Sequence, residues 1–427
     1  MNNATDKNSG KKSPARASVY VSPGGIEVWS VRSDVAPLIA LSFMMEGGST
    51  QDPEGKEGVT QMMARLLDEG AGPYSSDQFQ EELASRAIEM SFSVGYDSFS
   101  GSLKTLASNA DKAFELLRLA LLEPHFEETS IERVKAQTIA GLRYQQNDPG
   151  FMSSRALTSE AFPGHAYGRP VSGTVESNTA ITRADIIEAH ARVVSKAQLK
   201  VAVVGAFDEA QLGRLLDHAF AELPAANRLI SVSPITIMNR GKRIIRELDV
   251  PQSVVRFGYE GLAWTDPDFT ASFILNHIYG GGSFTSRLFQ EVREKRGLAY
   301  SVGTSLSNYR QTAVSWGYTA TKNERVSECL DVIVEEMKRL KAEGPSANEL
   351  QQAKDYLTGS YALGFDTSTK IAYQLVQIAF EGLGIDYLDR RNALVNTVSL
   401  EDINRVSERI FGDCKLLVAI AGKPEGL

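Results

Sequence analysis

The stretch Gly280-Gly281-Gly282-Ser283-Phe284-Thr285-Ser286-Arg287-Leu288-Phe289-Gln290-Glu291-Val292-Arg293-Glu294-Lys295-Arg296-Gly297-Leu298-Ala299-Tyr300-Ser301-Val302 carries dense local instruction. Three glycines relieve backbone steric limits and predict a flexible turn. Thr285 or Ser286 can cap the helix that follows. Leu288, Phe289 and Val292 give that helix one apolar face. Lys295 and Arg296 suit the negative end of its dipole, and Gly297 stands where a left-handed cap is expected. From Leu298 on, Tyr300, Val302 and Thr304 alternate with Ala299, Ser301 and Gly303, the period of a strand packed closely on one side. The stretch reads turn, helix, stop, strand.

Arg293 and Tyr300 can do more than pack. Taken alone, they read as a surface arginine and a core tyrosine with a satisfied hydroxyl. The helix-stop-strand order can also bring both heads to one sheet edge. There a guanidinium and a phenol would donate to carbonyl oxygens of an extended ligand.

The run resembles the C-terminal half-domain signature of the M16 metallopeptidases, the group of pitrilysin, the insulin-degrading enzymes and the mitochondrial processing peptidases. The resemblance implies that Arg293 and Tyr300, at their seven-residue spacing, hold the substrate backbone from the half that lacks the metal.

The chain's 427 residues are too many for one ordinary core, so two or more domains are expected. A net charge of −8 argues against a general nucleic-acid binder. No run approaches the ~20 apolar residues of a membrane span, so no stable membrane insertion is expected. Cys329 and Cys414 lack CxxC spacing and read as buried thiols that leave the redox compartment undecided. Residues 1–17 are polar without an apolar h-region and read as a disordered leader, not a secretory signal. The literal reading is cytoplasmic, with a periplasmic site left open by the choice of start codon.

The rest is one unit written twice. Asp185-Ile186 through Val201-Ala202-Val203-Val204-Gly205 matches Asp402-Ile403 through Val418-Ala419-Ile420-Ala421-Gly422 at an offset of 217 residues without a gap. At the same offset, Glu132 through Tyr144 matches Glu349 through Tyr361. Helices are expected before these, over Asp111–Leu122 and Glu324–Ala342. Each half opens with a strand pair, Gly25–Arg32 with Leu38–Glu46 and Lys242–Leu248 with Gln252–Tyr259. Met90–Val94 and Ser98–Leu103 form a further pair, and Thr312–Thr319 plays that part in the second half. Alternating, neighbouring strands predict an α+β fold: two homologous half-domains, each a mostly antiparallel sheet packed with helices. The expected division is 18–226, a linker at 227–240 and 241–427. This architecture is similar to that of M16 proteins (the LuxS/MPP-like metallohydrolase fold) over nearly the whole chain after about residue 18. The loop Phe162-Pro163-Gly164-His165-Ala166-Tyr167-Gly168-Arg169-Pro170 resembles one in the first half of M16B-type peptidases. His165 there reads as a hydrogen-bonded loop anchor.

An M16 catalytic half carries His-x-x-Glu-His on a helix, two imidazoles one turn apart for zinc and a glutamate to deprotonate water. The matching run here is Gly58-Val59-Thr60-Gln61-Met62-Met63-Ala64-Arg65. Gln61 and Arg65 stand for the histidines and Ala64 for the glutamate. No glutamate lies between Glu132 and Glu160, and Gln137 and Thr138 occupy the place expected for the distal ligand. Gln is a poor zinc ligand, Ala cannot take a proton and Arg repels a divalent cation. Arg65 reads either as a surface charge or as a salt-bridged filler of the dead pocket. His125, His165, His190, His218 and His277 show no metal-binding spacing. No Walker loop, GxGxxG or GxSxG is present, and Ser283 and Ser286 read as helix-start residues.

The expected metal content is therefore none, and the expected catalytic residues are none. The resemblance implies a non-catalytic, substrate-binding subunit of a heterodimeric M16B zinc endopeptidase acting on peptides in an enclosed chamber. Zinc would sit in a partner M16 subunit with an intact His-x-x-Glu-His. The alternatives are a structural M16 relative, as the core subunits of the bc1 complex resemble, and a self-sufficient peptidase with unrecognised ligands.

Overall fold

The computed structural model describes residues 16–427, so most of the expected leader lies outside the described residues. The first sheet contains β1 (Ser18–Val21), β2 (Glu27–Arg32), β3 (Leu38–Glu46), β4 (Glu89–Val94), β5 (Ser98–Leu106) and β6 (Lys200–Gly205), in the order β1-β2-β6-β3-β5-β4. The second contains β7 (Arg243–Glu247), β8 (Gln252–Glu260), β9 (Ala299–Tyr309), β10 (Thr312–Lys322) and β11 (Leu417–Gly422), in the order β7-β11-β8-β10-β9. Without β1 the two orders superimpose, so the sequence repeat is a repeat of topology. The fold is α+β, with two homologous half-domains.

The expected opening strand pairs need correction. β6 enters between β2 and β3, running parallel to β2, and β11 enters between β7 and β8, running parallel to β7. Val201 to Val204 and Leu417 to Ala421 are all buried, and a strand apolar on both faces belongs in the middle of a sheet. The remaining pairings are antiparallel.

Local chemistry repeats along with the topology. Thr182 with Asp185 and Ser399 with Asp402 form capping boxes that start the helices Arg183–Val193 and Leu400–Phe411. Phe43 on β3 lies opposite Gly101 on β5, and Phe257 on β8 lies opposite Gly317 on β10. In each pair the ring occupies the space a Cβ on the glycine would need.

Each sheet is covered on one face by its own half's helices and on the other by a helix from the opposite half. Pro149–Ala161 sends Ala156, Leu157 and Ala161 onto Leu417 and Ala419 of the second sheet. Ser368–Phe380 sends Ala372, Leu375, Val376 and Ala379 onto Trp29, Ala202 and Val204 of the first. This reciprocal crossing explains why the central strands read as unbroken apolar runs. The halves are also pinned at their hairpin tips. Tyr167 Oη lies 3.0 Å from both carboxylate oxygens of Asp97 and accepts from Gln311 N, while Arg310 N donates to Asp97 at 2.9 Å.

The glycine run at 280–282 behaves differently from expectation. Gly280 and Gly281 belong to a widened, π-type helical turn, His277–Gly281, that continues the helix Phe269–Asn276. A Cβ on Gly280 would meet Thr304 Oγ1 at 2.6 Å, one on Gly281 Asn276 Nδ2 at 2.5 Å, and one on Gly282 the His277 carbonyl at 2.6 Å. Close packing, against β9 at Gly280 and against the preceding helical turn at Gly281 and Gly282, and not conformational freedom, requires glycine here.

Candidate functional site

Gln61 and Ala64 lie on the short helix Val59–Ala64, and Arg65 follows as its C-cap. The helix starts from Gly58, whose φ of +93° favours glycine. Asp52 holds that start: its carboxylate accepts from Gly58 N at 2.7 Å, Thr60 N at 3.1 Å and Thr60 Oγ1 at 2.5 Å. Burial is the largest influence on Asp52 and pushes its carboxyl up to about 6, against those three bonds.

Arg65 reaches across to the longer helix Glu128–Gln145. Nη1 donates to Thr138 Oγ1 at 2.6 Å and Nη2 to Gln137 Oε1 at 3.3 Å. The two helices that would carry the proximal and distal ligands of a zinc site are thus adjacent. Their facing side chains are a guanidinium, an amide and a hydroxyl. Arg65 both faces solvent and spans this gap, and it does so through neutral acceptors, not a salt bridge. These residues do not fit zinc, because a fixed cation stands where a ligand would be. Among the described residues no three His, Cys, Asp or Glu side chains converge as a metal-binding group.

The histidines have structural partners. His165 Nε2 pairs with the Ser233 carbonyl at 2.9 Å and Nδ1 accepts from Tyr167 N, the loop anchor expected from sequence. His125 and His190 pair with the Gly72 and Leu121 carbonyls. His277 stacks on Tyr356, and His218 lies exposed on its helix.

In the second half, the helix after Ser286 ends in a widened turn, Phe289–Glu294, with Lys295 N bonded to Gln290 O. Of the two expected caps, Ser286 serves: its Oγ accepts from Phe289 N at 3.4 Å. Gly297 takes a φ of +57°, and Leu298 N bonds back to Val292 O at 2.8 Å, closing the helix as predicted. One ion pair ties this helix to a neighbour and another group braces its own C-terminal end. Arg287 grips Glu349 with two bonds of 2.7 and 3.0 Å. Burial raises the Glu349 carboxyl, but Arg287 and Ser346 outweigh it and hold it at about 2. Glu291, also buried, bonds Lys295 at 2.6 Å and Arg296 at 2.5 Å; those partners overcome burial and keep it below the usual carboxylate range.

On that base, the Arg293 guanidinium lies 4.7 Å from the Phe289 ring centroid and 4.9 Å from that of Tyr300. The reading of Tyr300 as a core residue is corrected: it is 84% exposed. The cause is a register shift between β9 and β10, where Val302 pairs with Thr319 but Ala299 pairs with Thr321. Two residues, Tyr300 and Ser301, therefore oppose Ala320, a β-bulge of the kind that re-aims side chains. β9 is an edge strand, so the stacked pair stands beside unpaired backbone. The contribution of Phe289 was missed in the sequence; its i, i+4 spacing from Arg293 is the signal that could have shown it.

The fold is one of two homologous half-domains, with Arg65 joining two helices of the first and Arg293 stacked on Tyr300 in the second. Two family models match it, one described as Insulinase (Peptidase family M16) over residues 27–175 and one as Peptidase M16 inactive domain over residues 180–357. The chain belongs to the M16 peptidase family. It is similar to the non-peptidase homolog YmxG of Helicobacter pylori, 25% identical over 370 residues that cover 86% of this chain and 85% of that one. The mitochondrial-processing peptidase subunit beta of Dictyostelium discoideum is 23% identical over 406 residues, 90% of this chain and 84% of its own. The solved structure of a peptidase M16 inactive domain from Pseudomonas fluorescens matches at a TM-score of 0.89 and 24% identity, covering 96% of this chain and 98% of that one. Among the described residues no helix is long and apolar enough to cross a membrane.

Proposed function

We propose that this chain is the non-catalytic, substrate-holding subunit of a two-subunit M16B metallopeptidase, whose partner carries His-x-x-Glu-His and the zinc. The observation that carries the reading is the contrast between the two halves. Arg65 bridges the two helices that would flank a metal, whereas a half-buried Arg293 stacks on the exposed Tyr300 beside the free edge of β9. A peptide lying along that edge would form main-chain bonds as an added strand. Arg293 and Tyr300 would donate to its carbonyl oxygens, positioning the scissile bond at the partner's site and stabilising charge developing on it. The likeness to a subunit of a processing peptidase supports a role within a multi-chain enzyme.

Affinity purification from the native source, with zinc quantified, tests this. A stoichiometric complex with a zinc-bearing M16 chain is expected. Recovery in a membrane-protein assembly without such a chain would favour the structural alternative. Stoichiometric zinc in this chain alone would overturn the proposal.

A further inference from the structure

A cavity of about 390 Å³ opens among the helices of the second half, away from both positions described above. Trp264, Phe269, Phe273, Tyr373, Tyr387 and Arg391 are among its walls. Trp264 packs on Phe269 at 4.3 Å between ring centroids, and Phe269 stacks with Phe273 at 6.5 Å. The size and the aromatic lining are those of a small-molecule site.

Its cation gives the site polarity. Arg391 is held over the rings of Tyr361 at 4.5 Å and Phe273 at 5.5 Å, and Nη1 donates to the Leu357 carbonyl at 2.7 Å and to Asn392 Oδ1 at 3.0 Å. A guanidinium fixed among rings and withdrawn from water gains from an anion brought to it, since burial disfavours its charge. Glu381 is the acid among the lining residues; burial pushes its carboxyl up, toward the neutral form, with Arg310 opposing.

We propose that this cavity binds a small aromatic carboxylate, its ring between Trp264, Phe269, Phe273 and Tyr373 and its carboxylate at Arg391. One wall, with Tyr373, Gln374, Gln377 and Ile378, belongs to the helix Ser368–Phe380, whose other face is seated on the first sheet. A bound ligand therefore braces the crossing helix from the side opposite that sheet. The same chemistry is offered by a free aromatic acid and by a peptide ending in phenylalanine.

Titration of the full chain with 3-phenylpropionate, followed by calorimetry and tryptophan fluorescence, tests the site. Saturable binding of one molecule per chain is expected. 3-Phenylpropanamide should bind at least about tenfold more weakly, as should 3-phenylpropionate to Arg391→Met, through loss of a charge-assisted bond. Gln377→Phe, which fills the cavity and leaves Arg391 in place, should weaken binding by a similar factor while the circular dichroism spectrum stays unchanged. A peptide ending in Phe that binds as well as the acid identifies a chain terminus as the source; failure of that peptide alone identifies the free acid. No saturable binding up to about 10 mM, or binding indifferent to both amidation and Gln377→Phe, would overturn the assignment.

Discussion

Arg65 Nη1 donates to Thr138 Oγ1 across 2.6 Å, and Thr138 Oγ1 donates in turn to the Val134 carbonyl at 2.8 Å. One guanidinium thus links the helix Val59–Ala64 to the helix Glu128–Gln145, the pair that the proposed reading matches to the zinc-bearing helices of the partner. Gln61→His with Arg65→His restores two imidazoles one turn apart and removes the charge that opposes a metal. The double variant should retain zinc after dialysis at a higher molar ratio than the parent, measured by elemental analysis. Equal, stoichiometric zinc in the parent would contradict the account of this position.

Asp52 and Glu349 titrate with opposite effects on stability. Glu349 is held at about 2, below its ordinary 4.5, so the folded chain binds that proton less readily than the unfolded one. Its contribution is complete above about pH 4.5 and is lost as pH falls through about 2. Asp52 is raised from 3.8 to about 6, so the folded chain takes that proton first. The stability it costs near neutrality, at most about 3 kcal/mol, is recovered as pH falls from about 6 to 4. Melting temperatures of the parent and Asp52→Asn across pH 4–7 should show a slope in the parent that the variant lacks. Arg287→Ala, which leaves Glu349 partly buried without its partner, should cost about 2–3 kcal/mol at pH 7 by denaturant unfolding.

The glycines divide by what surrounds them. A Cβ on Gly317 would fall 2.0 Å from Phe257 Cζ, and one on Gly101 2.3 Å from Phe43 Cε1, so Gly→Ala at either should destabilise by about 3 kcal/mol. Gly280→Ala, against Thr304, should cost about 1–2 kcal/mol. Gly141, in the interior of Glu128–Gln145, has open space, and Gly141→Ala should stabilise by up to about 1 kcal/mol. Urea melts of the four variants check the ranking.

What was legible in the sequence was local. The caps at Ser286 and Gly297 and the repeat at an offset of 217 residues follow from spacing alone. The helix position of Gln61 and the nearness of Arg65 to Gln137 and Thr138 followed from the resemblance of one helical motif and one interval to those of the family. What was hidden was non-local. The entry of β6 and β11 into the middle of their sheets, and the reciprocal crossing of two helices, depend on partners more than a hundred residues away. The exposure of Tyr300 turns on a register shift against Thr319 and Thr321, which no alternation within β9 could reveal. The glycine run misled because glycine serves close approach as well as free rotation, and here Thr304 and Asn276 set the limit.

Peptide hydrolysis by a reconstituted pair, this chain with its zinc-bearing M16 partner, tests the central claim most directly. The account predicts no turnover by this chain alone and turnover by the pair. Arg293→Ala or Tyr300→Phe in this chain should reduce that turnover by about one to three orders of magnitude without loss of the complex. Full activity of the pair with both substitutions in place would contradict it.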